Sequence, residues 1–255
     1  MTSVKYYDDQ KYQTRSMLTQ TEGFVLATAV SGAVMSPLAY IDQPFLRQLR
    51  KNESDNHIYR DYFQKAFDKS GLRKLGVGII PAQLLHKDDA YKRGTNACFI
   101  PESKQVLINT DKIASAGFHE LGHALNALKS KYGVKYLAKL RAPGYAIAGL
   151  MEYFALFSRT KPKGAPRSFT DIIEDNCGKI AFIAMLPVVA EEAIASIRGI
   201  NLAKSVDMGK PFINNLKKLY VKALATYGGR AVLGGLAVFA SRKVMDYFTR
   251  PKPVE

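Results

Sequence analysis

The chain has 255 residues, 47% apolar and 23% charged, enough for a sizeable core and too apolar for a disordered chain. Two cysteines, Cys98 and Cys177, exclude a disulfide scaffold and fit small core residues or thiols of a reducing compartment. The formal charge of +15 is diffuse and lacks an aromatic-interleaved basic patch, which favours contact with anionic lipid over nucleic acid.

Residues 1–22 are polar and mixed in charge, too long and too acidic for the leading part of a signal peptide. Residues 23–41, GFVLATAVSGAVMSPLAYI, then run for 19 residues without a charge. That is close to the roughly 20 needed to cross a bilayer. Gly23, Ala27 and Ser31 recur at a spacing that lets helices approach closely. A transmembrane helix is expected here, with a buried core helix as the alternative.

Residues 42–73 read as helical from Phe45, Leu46 and Leu49, then Tyr59, Tyr62, Phe63 and Phe67. LGVGII (75–80) reads as a strand ended by Pro81. NACFI (96–100) and QVLIN (105–109) read as two more, joined by the turn-like PESK. After Asn109 the period becomes helical, with Thr110 or Asp111 as a cap and Gly133 as a stop. Three apolar segments follow: 142–151, continuing past Glu152 to 158, then 180–190 and 231–240. Their uninterrupted runs of 10 or 11 residues suit buried or re-entrant helices better than full spans. The class is α+β and mostly helical, with a small early sheet. The expected domains are 1–41, a central 42–200 with an apolar hairpin inserted at about 142–190, and a basic 201–255 ending in an apolar helix.

The chemistry lies in His119-Glu120-Leu121-Gly122-His123. Positions i and i+4 share one helix face, so His119 and His123 can aim two imidazoles at one ion. Glu120, rotated round the helix, can reach a water beside that ion. Zinc suits two nitrogen ligands with a position left open. With four His and nine Glu in the chain, this pattern arises by shuffling in roughly one sequence in several hundred. Phe118, Leu121, Leu125 and Leu128 make the same helix half-buried, and buried His and Glu need partners. The bland alternative is a pair of core histidines satisfied by backbone carbonyls.

Two histidines do not complete a site. His57 and His86 lie in polar surroundings and read as surface residues, so the third ligand is sought among Glu152, Glu174, Glu191 and Glu192. His-Glu-x-Gly-His followed by Glu192-Ala193-Ile194-Ala195-Ser196 resembles the membrane zinc metallopeptidases of the gluzincin type. The nearest families are the C-a-a-X prenyl proteases with their bacterial heat-shock relatives, and the bacterial neutral zinc metallopeptidases. The resemblance implies a zincin-like core, one Zn2+ per chain, Glu192 as third ligand and Ser196 supporting a ligating histidine. Glu191 is the alternative ligand, one residue away. Glu152 is a weaker one, in an apolar segment where an unpaired charge is costly. Asn96-Ala97-Cys98-Phe99 resembles the zincin edge strand, which implies that Asn96 and Ala97 bind substrate backbone by strand addition. Cys98 stands where an aromatic is common. The likeness covers roughly residues 75–200. For an oxyanion-stabilising side chain, Tyr145, Arg198 and Tyr227 are open candidates.

The expectation is a membrane-associated zinc endopeptidase with Glu120 as general base, acting on protein or peptide and contacting membrane lipid, with no nucleic acid. The rivals are a membrane protein with a purely structural metal, or a basic module for lipid or nucleic acid. Basic residues in 42–142 and 201–222 put the catalytic domain on the cytoplasmic side by the positive-inside rule. The basic link 159–167 then favours a shallow, re-entrant hairpin.

Overall fold

A computed structural model describes residues 12–13, 17–81, 96–158, 160–161 and 165–253. His86, and Arg159 and Lys163 of the basic link, lie outside them. The chain divides into two units, each assembled from separated stretches. One comprises the described parts of 38–142 and 186–229, and the other those of 1–37, 143–185 and 230–255. Residues 201–229 therefore group with the histidine motif, and 230–253 with the N-terminal helix and the insert, which chain order does not reveal.

In the first unit, helices α3 (Gln43–Glu53) and α4 (Asn56–Ser70) precede a small sheet. Strand β2 (Gly78–Pro81) runs parallel to β4 (Gln105–Ile108), with Gly78 opposite Gln105 and Pro81 opposite Ile108. Strand β3 (Cys98–Ile100) is antiparallel to β4 and forms the other edge, in the order β2-β4-β3. All three expected strands occur, with a shift at the first. Residues 73–75 wind a 3-10 turn closed by Gly76 at φ 82°, so pairing starts only at Gly78. Pro81 is the strand's last residue, tolerated because β2 is an edge. Val106, Leu107 and Ile108 of the central strand are all fully buried, so its apolar run is continuous rather than alternating.

The motif helix α5 (Thr110–Lys129) follows β4 at once. Its cap is Asn109, whose side chain accepts from the Asp111 N–H, rather than Thr110 or Asp111. At Ile113 the backbone leaves helical geometry, with φ −127° and ψ 33°. Buried Asn56 bridges that break: its amide donates to the Thr110 carbonyl at 2.8 Å and its oxygen accepts from the Ala114 N–H at 2.8 Å. The helix ends at Lys129 with extended Ser130, and Gly133 falls inside the next helix, α6 (Tyr132–Lys139). Phe118 packs edge-on against Phe63 of α4, ring centroids 5.9 Å apart, in a core that includes Tyr59, Leu121, Leu216 and Leu219. The last two come from α10 (Lys210–Thr249), and the second glutamate motif from α9 (Cys177–Ser205); α7 (Arg141–Phe157) and α8 (Phe169–Asp175) lie between in sequence.

The second unit contains α1 (Met17–Met35), most of α7, the start of α9 and the end of α10. Strands β1 (Tyr12–Gln13) and β5 (Lys252–Pro253) pair antiparallel. Gly178 and Gly235 meet closely: a Cβ on Gly178 would lie 2.7 Å from the Gly235 carbonyl oxygen. Glu152 accepts hydrogen bonds from Ser31 and Ser241, 3.2 Å each. Buried Arg242 holds Glu174 and Asp246 at 3.3 and 3.1 Å. Both acids weighed as ligands in this unit are thus engaged within it.

Among the described residues, three stretches, Thr19–Glu53, Cys177–Ser205 and Lys210–Thr249, are long and apolar enough to cross a membrane. The runs at 180–190 and 231–240, short by themselves, are parts of helices of 29 and 40 residues. Run length therefore gives no reason to make them re-entrant. Val25, Leu26, Ile183, Val232, Leu236 and Phe239 are exposed, as lipid-facing side chains are. Alkaline carbonate extraction of membranes should leave the chain in the pellet; release into the supernatant would contradict spanning helices. Asn56→Ala strips two helix-backbone groups of their partner and should cost about 2–4 kcal/mol, read as a lowered thermal midpoint in detergent.

Candidate metal centre

The site begins with a close helix crossing. A Cβ on Gly122 would run into the Ala195 carbonyl, and one on Gly199 would lie 2.5 Å from the Phe118 carbonyl oxygen. Both glycines stand where the backbones of α5 and α9 meet. The spacing is four residues on each helix, Phe118 to Gly122 and Ala195 to Gly199, so small residues let two helices touch along a full turn. His119 and His123 flank the contact on one helix, and Glu191, Glu192 and Ser196 on the other.

Three ligand atoms converge there. His119 Nε2 lies 2.9 Å from His123 Nε2 and 3.0 Å from Glu192 Oε2, and His123 Nε2 lies 3.5 Å from the same oxygen. Together they form a group that could hold a metal ion. Glu191, the alternative ligand, has a different place. Its Oε1 lies 2.8 Å from His123 Nδ1 and also accepts from Asn126 Nδ2 at 2.9 Å. Ser196 Oγ lies 3.1 Å from His119 Nδ1. Each imidazole is thus held at Nδ1, and each turns Nε2 to the common point. Because a carboxylate only accepts, His123 Nδ1 is the donor to Glu191 and its Nε2 is left for the ion.

The residues fit a divalent cation. The donor set is two imidazole nitrogens and a carboxylate oxygen, a combination suited to zinc among divalent ions. Glu191 and Glu192 are 2% and 1% exposed, and Glu120, next to His119 in sequence, is 7% exposed. Arg141 is the cation among them: its Nη2 lies 2.6 Å from Glu192 Oε1 and its Nη1 3.5 Å from Glu191 Oε2. That guanidinium offsets part of the negative charge buried at Glu191 and Glu192. Burial, the largest influence on His123, lowers its pKa, but hydrogen bonds to Glu191 and Glu192 outweigh it and raise the pKa to about 10. Without the ion a proton occupies His123, so ion and proton compete for one lone pair.

The other candidates are distributed as follows. His57 is exposed, as expected of a surface residue. Asn96 is exposed and Ala97 half-buried, directly before edge strand β3, and Asn96 Oδ1 accepts from the Ala97 N–H at 3.0 Å. Cys98 and Cys177 are both free thiols, half-buried and buried. Tyr145 is exposed and belongs to the other unit. Arg198 is half-buried on α9. Tyr227 has the Arg141 guanidinium 5.8 Å from its ring centre.

Sequence reasoning missed Arg141, Asn126 and Tyr220. Tyr220 places its ring 5.4 Å from that of His119 and donates its hydroxyl to the Ser115 carbonyl at 2.8 Å. Asn126 carried a weak signal, three residues beyond His123 on the same helix face. Arg141 and Tyr220 carried none.

No family model, curated protein or solved structure matches this chain. The site therefore stands on its own geometry. Glu191→Gln should weaken binding of a divalent ion about 10- to 100-fold in a competitive chelator titration, because His123 loses its anionic acceptor. Gly122→Val should abolish binding outright and lower the thermal midpoint sharply, since the clash is with backbone that no rotamer can relieve.

Proposed function

We propose that this chain is a membrane-associated zinc-dependent endopeptidase. The observation that carries the reading is the convergence of His119 Nε2, His123 Nε2 and Glu192 Oε2, with Glu120 buried beside them and outside the ligand group. His119, His123 and Glu192 would hold the ion. When bound, zinc supplies a Lewis acid to a scissile carbonyl. The remaining work falls to the chain's own groups. Glu120 accepts a proton from the attacking water and returns it to the departing amine nitrogen, so the water oxygen joins the carbonyl carbon as the C–N bond breaks. Glu191 and Ser196 keep the imidazoles in the orientation that leaves both Nε2 atoms available. Arg141 fixes the far oxygen of Glu192 and offsets the buried negative charge. Strand β3, entered through Asn96 and Ala97, is an edge of the sheet among the described residues, the position at which strand addition by an extended peptide takes place. The three long apolar helices support a membrane location, and the basic excess of 42–142 supports a cytoplasmic site-bearing unit.

A metal that merely pins two helices is the second reading, favoured by the closed Arg141–Glu191–Glu192 network. Glu120 separates the two. Detergent-purified protein should carry about one zinc per chain by elemental analysis, and Glu192→Ala should carry far less. Glu120→Gln should keep its zinc and lose at least about 100-fold in cleavage of an unstructured protein substrate. Unchanged turnover in Glu120→Gln would remove it as the base, and zinc without turnover in the parent would leave the structural pin.

A further inference from the structure

Helix α6 has a surface that the metal centre does not use. Between Lys129 and Arg141 the sequence is KSKYGVKYLAKLR, with no acidic residue. Lys129 and Arg141 are occupied, on the Ser70 carbonyl and on the two glutamates. Lys131, Lys135 and Lys139 remain, all exposed, at four-residue intervals along one face. Beside that stripe stand Tyr136 and Leu140, 52% and 45% exposed and themselves four apart. Lys139 Nζ lies 5.5 Å above the Tyr136 ring. Val134, Leu137 and Ala138, on the opposite side, are half-buried. The helix thus rests on one face and presents an outer face of lysines edged by an aromatic and an aliphatic side chain.

Lysines with an exposed Tyr and Leu beside them suit a surface that offers both negative charge and an apolar layer. Anionic lipid satisfies both: phosphate groups pair with the lysines, and the tyrosine and leucine enter the zone between headgroup and acyl chain. The chain passes from this face directly into α7, whose Tyr145, Ile147, Leu150, Tyr153 and Phe157 are exposed. Basic residues close in sequence to a run of exposed apolar side chains are the arrangement that anionic leaflets attract. We propose that α6 docks on the surface of an anionic bilayer, through Lys131, Lys135 and Lys139 on the headgroups and through Tyr136 and Leu140 below them. The proposal rests on the membrane location of the chain and is independent of catalysis.

The chain contains no tryptophan, so Tyr136→Trp introduces a single reporter. The full-length variant is reconstituted into vesicles of zwitterionic lipid with or without an anionic phosphatidylglycerol fraction, each with and without brominated acyl chains. The expected result is a blue-shifted emission quenched by brominated lipid, markedly more in anionic vesicles. Lys131→Gln, Lys135→Gln and Lys139→Gln together should abolish that difference while circular dichroism stays unchanged. Phe239→Trp, in a long apolar helix, is the control for membrane insertion. If it is quenched while the Tyr136→Trp reporter stays water-exposed in both lipids, α6 docking is overturned and the membrane location stands. If neither is quenched, both fall. Equal quenching in both lipids would overturn the role of the lysines.

Discussion

The contact on which the rest depends is the close approach of α5 and α9, backbone to backbone, at Phe118–Gly122 and Ala195–Gly199. Side chains of ordinary size would hold the helices apart, and a carboxylate on one could not then reach imidazole nitrogens on the other. With glycine at both points, the helices meet closely enough for Glu192 to stand 3.0 Å from His119 and Glu191 to stand 2.8 Å from His123. The same glycine that makes the motif read His-Glu-x-Gly-His is therefore a packing residue first. Its effect on the candidate metal site is indirect, through the distance between two backbones.

Burying Glu191 and Glu192 is tolerable because each has a partner. Glu192 faces the imidazoles with one oxygen and Arg141 with the other; Glu191 is shared among His123, Asn126 and Arg141. Removing one member would leave an uncompensated charge in a low-dielectric region, which costs more than the pair contributes. The network also explains how neighbouring glutamates take different tasks. A step of one residue turns a helix by about 100°, which sends Glu192 to the Nε2 side and Glu191 to the Nδ1 side.

Much of this was legible in the chain, for identifiable reasons. The histidine helix was visible because the i, i+4 rule is local, and the strands because β-branched runs bounded by turn residues are local too. Element ends were less legible. Asn109, not Thr110, caps α5, and Asn56 spans the break at Ile113 by bonding Thr110, 54 residues further along the chain. Gly133 looked like a stop, yet the chain had already turned at Ser130. The length of the apolar segments was misjudged because a charge ends a hydrophobic run on paper, whereas in the fold Glu191 and Glu192 are neutralised by partners and the helix continues.

The sequence by itself determined that two imidazoles and a carboxylate share one helix, because helical geometry makes spacing equivalent to direction; that Glu191, Glu192 and Ser196 share another came from the fold. It could not assign Glu191 to Nδ1 and Glu192 to Nε2, nor find Arg141, because those depend on how separate helices are rotated and spaced, His123 and Glu191 being 68 residues apart in the chain. Nor could it divide the chain into its two units, which interleave along the sequence. Those were decided by tertiary packing, where glycine contacts, buried charge and hydrogen-bond satisfaction must all be met by one arrangement.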